Sequence, residues 1–177
     1  IKELYILNNK KNKININDFG YLIGPILNAG GRLGKSNYAA ELLSSNNSKI
    51  INERSIELIK LNEKRKKIEK IILDEINFSK IEKDNKGVII YFNPSINEGL
   101  IGIIAARLKD YFNKPSIVIT ISGDVLKGSA RSIYNYNIGR PIKDLLDNKI
   151  ILNGGGHNMA AGFTLKKKIL TFLKILS

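Results

Sequence analysis

The chain has 177 residues, 43% of them hydrophobic, and 29 Lys plus Arg against 16 Asp plus Glu give a net charge of +13. This supports a packed core for one domain or slightly more and excludes disorder throughout; the lack of cysteine excludes disulfides and thiolate zinc sites, and a single histidine, His157, excludes a site of several imidazoles. No apolar run approaches the roughly 20 residues of a membrane span and no signal-peptide pattern is present, so a cytoplasmic location with no membrane contact is expected.

The chain starts at Ile1 rather than Met and stops at Ser177 inside the apolar-periodic stretch 169–176, from which a piece of a longer protein is expected. Residues 8–17 are rich in Lys and Asn and read as a loop. Asn17 and Asp18 offer a cap for a short helix through 21–23, interrupted near Gly24 and Pro25. Residues 24–34 carry four glycines and a proline, which predicts a shaped loop or a broken helix. Ser36 can then cap a helix over 38–43.

From 49 to 78 there is neither Gly nor Pro, and Ile51, Leu58, Leu61, Ile68, Ile72 and Ile76 recur at helical spacings. This predicts an amphipathic helix of about 45 Å at 1.5 Å per residue. It reads as a connection between domains or as an ordinary surface helix. Beyond Gly87 the period changes. Residues 88–92 read as a buried strand, 99–108 as a helix whose glycines allow close packing on a sheet, and 115–121 as a second strand. Strand, helix and strand in this span predict a βαβ unit with a parallel pair. A third strand over 125–132, a short helix over 141–146 and a closing strand over 161–165 complete an α/β fold. Its mixed sheet is flanked by helices and preceded by a helical segment and the long connecting helix.

Three segments suggest chemistry. Gly154-Gly155-Gly156-His157 could form a nest of backbone amides that holds an anion, with the histidine adding a donor; the alternative is a tight connection that needs positive φ. Ser129 and Arg131 share one face of an extended strand, since alternate residues point alike, and a hydroxyl beside a guanidinium fork is a phosphate-binding pair. Asn28 and Arg32 flank small residues in Asn28-Ala29-Gly30-Gly31-Arg32. Arginine is scarce, 6 residues against 23 Lys, and four of the six (Arg32, Arg107, Arg131 and Arg140) lie in or beside glycine-containing segments. Arg offers a planar fork where Lys offers a point charge. The surplus of Lys itself has two readings, phosphate-bearing partners or compositional drift on solvated faces.

The order of these segments is specific. Gly24-Pro25 leads to Asn28-Ala29 and Gly31-Arg32-Leu33; a long helix follows. Then come Gly99 to Leu108, Gly128-Ser129-Ala130-Arg131-Ser132, and Gly155-Gly156-His157 running to Met159-Ala160-Ala161-Gly162. This resembles the C-terminal half of the RecJ-type single-strand-specific exonucleases of the DHH phosphoesterase superfamily. The resemblance divides the chain into the end of a DHH catalytic domain (1–47), a connecting helix (48–80) and a DHH-associated, substrate-binding domain (81–177).

What the resemblance implies is a 5′→3′ exonuclease that hydrolyses single-stranded DNA to mononucleotides in DNA repair and recombination, with Mn2+ or Mg2+ as cofactor. Arg32, Ser129, Arg131 and the Gly154–Gly156 amides would bind a substrate phosphate. Asn28 would position Arg32 or touch the strand, and His157 would be the catalytic group donating to the phosphate under attack. Single-stranded DNA is the implied partner, with a single-strand-binding protein or a helicase as candidate protein partners. Tyr91, Tyr134 and Tyr136 are candidates for base stacking.

The departures carry information as well. The family's metal motifs precede this segment, and the seven aspartates of the chain stand singly, so the metal is expected outside this chain and the chain alone is expected to be inactive. Where the family often has Trp-His, this chain has Ile96-Asn97. Two other readings stay open: an oligoribonuclease or nucleotide phosphatase of the same superfamily, and a non-enzymatic nucleic-acid-binding module.

Overall fold

The computed structural model describes residues 1–10, 13–84 and 86–169, so most of the periodic stretch 169–176 lies outside the described residues. The chain divides into two units, Ile1–Ile71 and Ile72–Ser177, with the boundary inside one long helix.

The first unit opens with α1 (Lys2–Leu7), a short helix that no sequence pattern announces. The next helix is capped by Asn15, not by Asn17 or Asp18. Its Oδ1 accepts from the N–H groups of Asn17 and Asp18, while Asp18 Oδ2 accepts from the N–H of Asn15, which closes a capping box. From α2 (Ile16–Asp18) the helix runs through a π turn at Phe19–Ile23 straight into α3 (Gly24–Arg32).

Of the two expectations for 24–34, a shaped loop or a broken helix, the second is nearer: the segment is helical up to Arg32, and the π turn explains how. The N–H of Gly24 reaches back to the carbonyl of Phe19, widening the helix beside Pro25, which has no N–H to give. A β-carbon on Gly24 would stand 2.7 Å from that carbonyl oxygen, so the turn needs a glycine.

Ser36 stands at the N-cap of α4 (Asn37–Ser44) but makes no side-chain cap bond, contrary to the expectation for it. α5 (Ser48–Glu75) has 28 residues, about 42 Å of helix. Leu4, Ile23, Ile26, Leu42 and Leu58 form the core of this unit. Arg54 pairs with Glu41 at 2.5 Å and lies over the Tyr38 ring, fastening α5 to α4. Arg65 bonds Asn62 and pairs with Glu69 at 2.6 Å, all three buried. Both arginines of the charge-rich run thus have structural partners.

The second unit contains α6 (Phe78–Lys83), β1 (Ile89–Phe92), α7 (Ile101–Phe112), β2 (Ser116–Ser122), β3 (Val125–Arg131), α8 (Gly139–Asp147), β4 (Asn153–His157) and β5 (Ala160–Lys166). The sheet order is β1-β2-β3-β5-β4. β1 and β2 are parallel, as the βαβ pattern predicted, and the other pairs are antiparallel.

Alternation sorts the two faces of this sheet. One buries Ile119, Leu126, Ala130, Ala161, Phe163 and Leu165 with Ile138 and Ile142 at α8. The other carries the fully buried Ser116, Val118 and Thr120 of β2 and packs against α7 through Ile101, Ile104, Ala105 and Leu108. Burying a Leu or Ile side chain contributes about 1.5–3 kcal/mol, so each layer is anchored by several such residues.

Candidate nucleic-acid interface

Ser129 and Arg131 lie on the α7 side of β3, where the register continues the face across the sheet. Ser129 is opposite Gly162, which is opposite Gly155. Arg131 is opposite Ala160, which is opposite His157. Gly155, Gly162 and His157 are exposed. A β-carbon on Gly155 would meet nothing within 4 Å. The result is a floor of small residues with a hydroxyl and a guanidinium along one side and an imidazole at its end.

Arg131 is the distinctive group. Its Nη1 donates to Ser129 Oγ at 3.1 Å and to the Ala130 carbonyl at 2.8 Å. Half-burial lowers its pKa from the ordinary guanidinium value. No carboxylate among the described residues neutralises it. Desolvating a cation without an opposite charge is unfavourable, and an anion bound on the floor would supply the missing charge. Gly102, in the first turn of α7, makes the approach possible, because a β-carbon there would stand 2.9 Å from Arg131 Nη2 and 3.1 Å from Ser129 Oγ. The sequence suggested that glycine at this position eases packing on a sheet. The structure shows that it clears space for these two side chains.

The glycine nest expected at 154–156 is not formed. Gly154, Gly155 and Gly156 are successive residues of β4 in regular register with Phe163, Gly162 and Ala161. A nest needs neighbouring amides to converge through a residue of positive φ, and the positive-φ glycines among the described residues are Gly34 and Gly123. Two of the three glycines have packing reasons instead. A β-carbon on Gly154 would stand 2.7 Å from Ile151 Cδ1, and one on Gly156 would stand 2.5 Å from the Ala160 carbonyl. Only Gly155 looks onto the open floor.

His157 Nδ1 accepts the N–H of Met159 at 3.3 Å, which leaves Nε2 carrying the proton in the neutral ring and free to donate. The turn beyond it is clamped by the segment after β3: Ser132 N–H donates to the Met159 carbonyl at 2.9 Å and Ile138 N–H to that of Asn158 at 3.2 Å. Tyr134 and Tyr136 are exposed between these two anchors, whereas Tyr91 is only partly exposed on β1.

Asn28 and Arg32 stand one turn apart on α3 in the other unit, Asn28 exposed and Arg32 half-buried. Of the two glycines between them, Gly30 is buried and faces Leu58, with room for a β-carbon blocked by the Lys35 carbonyl at 2.5 Å, whereas Gly31 is open. Asn97 Oδ1 accepts the N–H of Gly99 at 2.8 Å and shapes the entry to α7. Among the described residues no three His, Asp or Glu side chains come together as a metal site, so these residues do not fit the family's metal centre. No helix among the described residues is long and apolar enough to cross a membrane.

A family model described as the DHHA1 domain matches residues 84–177, more than half of the chain. The single-stranded-DNA-specific exonuclease RecJ of Haemophilus influenzae is 33% identical over 175 residues, which covers 92% of this chain and 30% of that protein. The RecJ of Bacillus subtilis is 36% identical over 150 residues, covering 83% of this chain and 19% of that protein. The chain thus spans less than a third of these relatives. The crystal structure of RecJ from Thermus thermophilus in complex with Mg2+ superposes with a TM-score of 0.78 at 24% identity, over 98% of this chain and 27% of that one, and has the same fold.

Proposed function

We propose that this chain, which belongs to the DHHA1 domain family, is the strand-holding segment of a RecJ-like 5′→3′ exonuclease that degrades single-stranded DNA to mononucleotides. The observation that carries the reading is the half-buried Arg131, with Ser129 as its hydroxyl partner and no carboxylate, beside a floor of bare glycine. On this reading the terminal phosphate of the strand accepts from the Arg131 fork and from the Ser129 hydroxyl. Gly155 and Gly162 let the strand lie close to the sheet, and Nε2 of His157 donates to a phosphate oxygen at the end of the floor.

Contacts of this kind hold a phosphate without reading a base, which suits end-dependent, sequence-independent degradation. Asn28 and Arg32 are carried as substrate-binding residues on the family resemblance alone. The divalent metal, Mg2+ or Mn2+ in the complete enzyme, belongs to residues outside this chain, so the chain by itself binds strands without cutting them. The lysine-rich surface adds a general attraction for the backbone. Cytoplasmic location and any single-strand-binding or helicase partner are parts of the same reading.

The test compares strands with and without a 5′-phosphate for binding to this chain, and measures mononucleotide release with added Mg2+ or Mn2+. Preference for the phosphorylated end, with no release, is expected. Equal binding of the two ends would remove the phosphate pocket. Metal-dependent release by the chain alone would show that catalysis does not depend on residues elsewhere.

A further inference from the structure

A groove of about 460 Å3 runs between α8 and β4. Arg140 and Lys143 line it from one side of α8, three residues apart, and Asn137, Gly155, His157 and Asn158 line it from the other elements. Its lining contains no carboxylate. Arg140 and Lys143 are exposed, and neither makes an ion pair among the described residues. The bond from Arg140 N–H to Asn137 Oδ1, 3.2 Å, fixes the turn from which Arg140 projects.

Gly155 and His157 belong to this groove and also to the Ser129–Arg131 face. β4 is the last strand of the sheet, and at Gly155 no side chain stands above its backbone. A strand lying on the floor can therefore cross the sheet edge at Gly155 and enter the groove, where the next cations it meets are Arg140 and Lys143. We propose that the α8–β4 groove is a second phosphodiester track, holding the same single strand after it leaves the terminal-phosphate site. This rests on the reading of the Ser129–Arg131 face given above. Continuity with that face is what favours a nucleic-acid strand over an acidic peptide as the occupant.

The experiment uses this chain with a 5′-phosphorylated 20-nucleotide oligothymidylate and a 5′-phosphorylated thymidine dinucleotide, both read by fluorescence anisotropy across a salt series. The Arg140→Gln/Lys143→Gln double variant is expected to keep the unsubstituted melting temperature. Its log–log salt slope for the 20-mer should shrink by about 1.4, at about 0.7 for each of two phosphates. The dinucleotide, too short to reach the groove, should bind as before.

An unchanged slope for the 20-mer, with Arg131→Gln still weakening both ligands, would overturn the groove and leave the Ser129–Arg131 reading intact. If Arg131→Gln has no effect while the double variant lowers the slope, the earlier reading fails and the groove stands. Absence of salt-dependent 20-mer binding by the unsubstituted chain overturns the track. So does binding of a polyglutamate peptide that is lost in the double variant while its 20-mer slope is unchanged, since the groove then belongs to an acidic protein partner.

Discussion

Gly102 and Arg131 are in contact: the helix glycine leaves a gap into which the guanidinium fits, and a β-carbon there would come within 2.9 Å of Nη2. The obstructed atoms are ends of flexible side chains, so a methyl group can be accommodated by moving Arg131. Alanine also favours a helix over glycine by about 1 kcal/mol. Gly102→Ala should therefore leave the melting temperature unchanged or raised, while affinity for a 5′-phosphorylated strand falls. A loss of both together would mean that Gly102 serves the fold alone.

Arg131→Lys separates fork from charge. Losing a hydrogen bond to a charged group costs about 1.5–3 kcal/mol, roughly ten- to a hundredfold in affinity. The loss should fall on 5′-phosphorylated strands and spare those without the phosphate, measured side by side. Lys167→Ala, at an exposed position, should change neither.

Glycines 128 and 155 should respond in opposite ways. A β-carbon on Gly128 would overlap the Phe163 ring, and overpacking of this kind costs about 1–3 kcal/mol. Gly128→Ala should lower the midpoint of denaturant unfolding. Gly155→Ala should leave that midpoint in place and weaken strand binding, because its methyl group stands on the open floor.

The π turn gives a prediction for the first unit. Gly24→Ala would press a methyl group against the Phe19 carbonyl, a backbone atom that cannot swing aside, and should destabilise the chain by about 1–3 kcal/mol. Gly20→Ala, with nothing within 4 Å of a β-carbon, serves as the control in the same unfolding measurement.

Side chains with a period were legible before the fold was known. The apolar runs at β1 and β2, the long spacing pattern of α5 and the shared face of Ser129 and Arg131 all follow from alternation or helical repeat. β4 was not, because three consecutive glycines carry no pattern, and their φ values depend on pairing with β5. Gly24-Pro25 reads locally as a break, and only the bond from Gly24 to Phe19 shows how the helix continues. The approach of Gly102 to Arg131 depends on how α7 packs on β3, which no local spacing encodes. The roles given to Asn28, Arg32 and His157 rest on family resemblance.

The glycine run has a mechanical consequence for His157. Sliding a strand by one residue normally turns its side chains to the wrong face, and that penalty locks its register. Gly154, Gly155 and Gly156 have no side chains to misplace, so the middle of β4 supplies little such lock. Register must come from the ends: the bond from Leu152 N–H to the Thr164 carbonyl at 2.8 Å, and the clamp of Ser132 and Ile138 on the Asn158–Met159 turn. One residue inserted into that turn would let β4 slip and carry the imidazole to the opposite side of the sheet, so the segment between β3 and α8 works as a latch on the aim of His157.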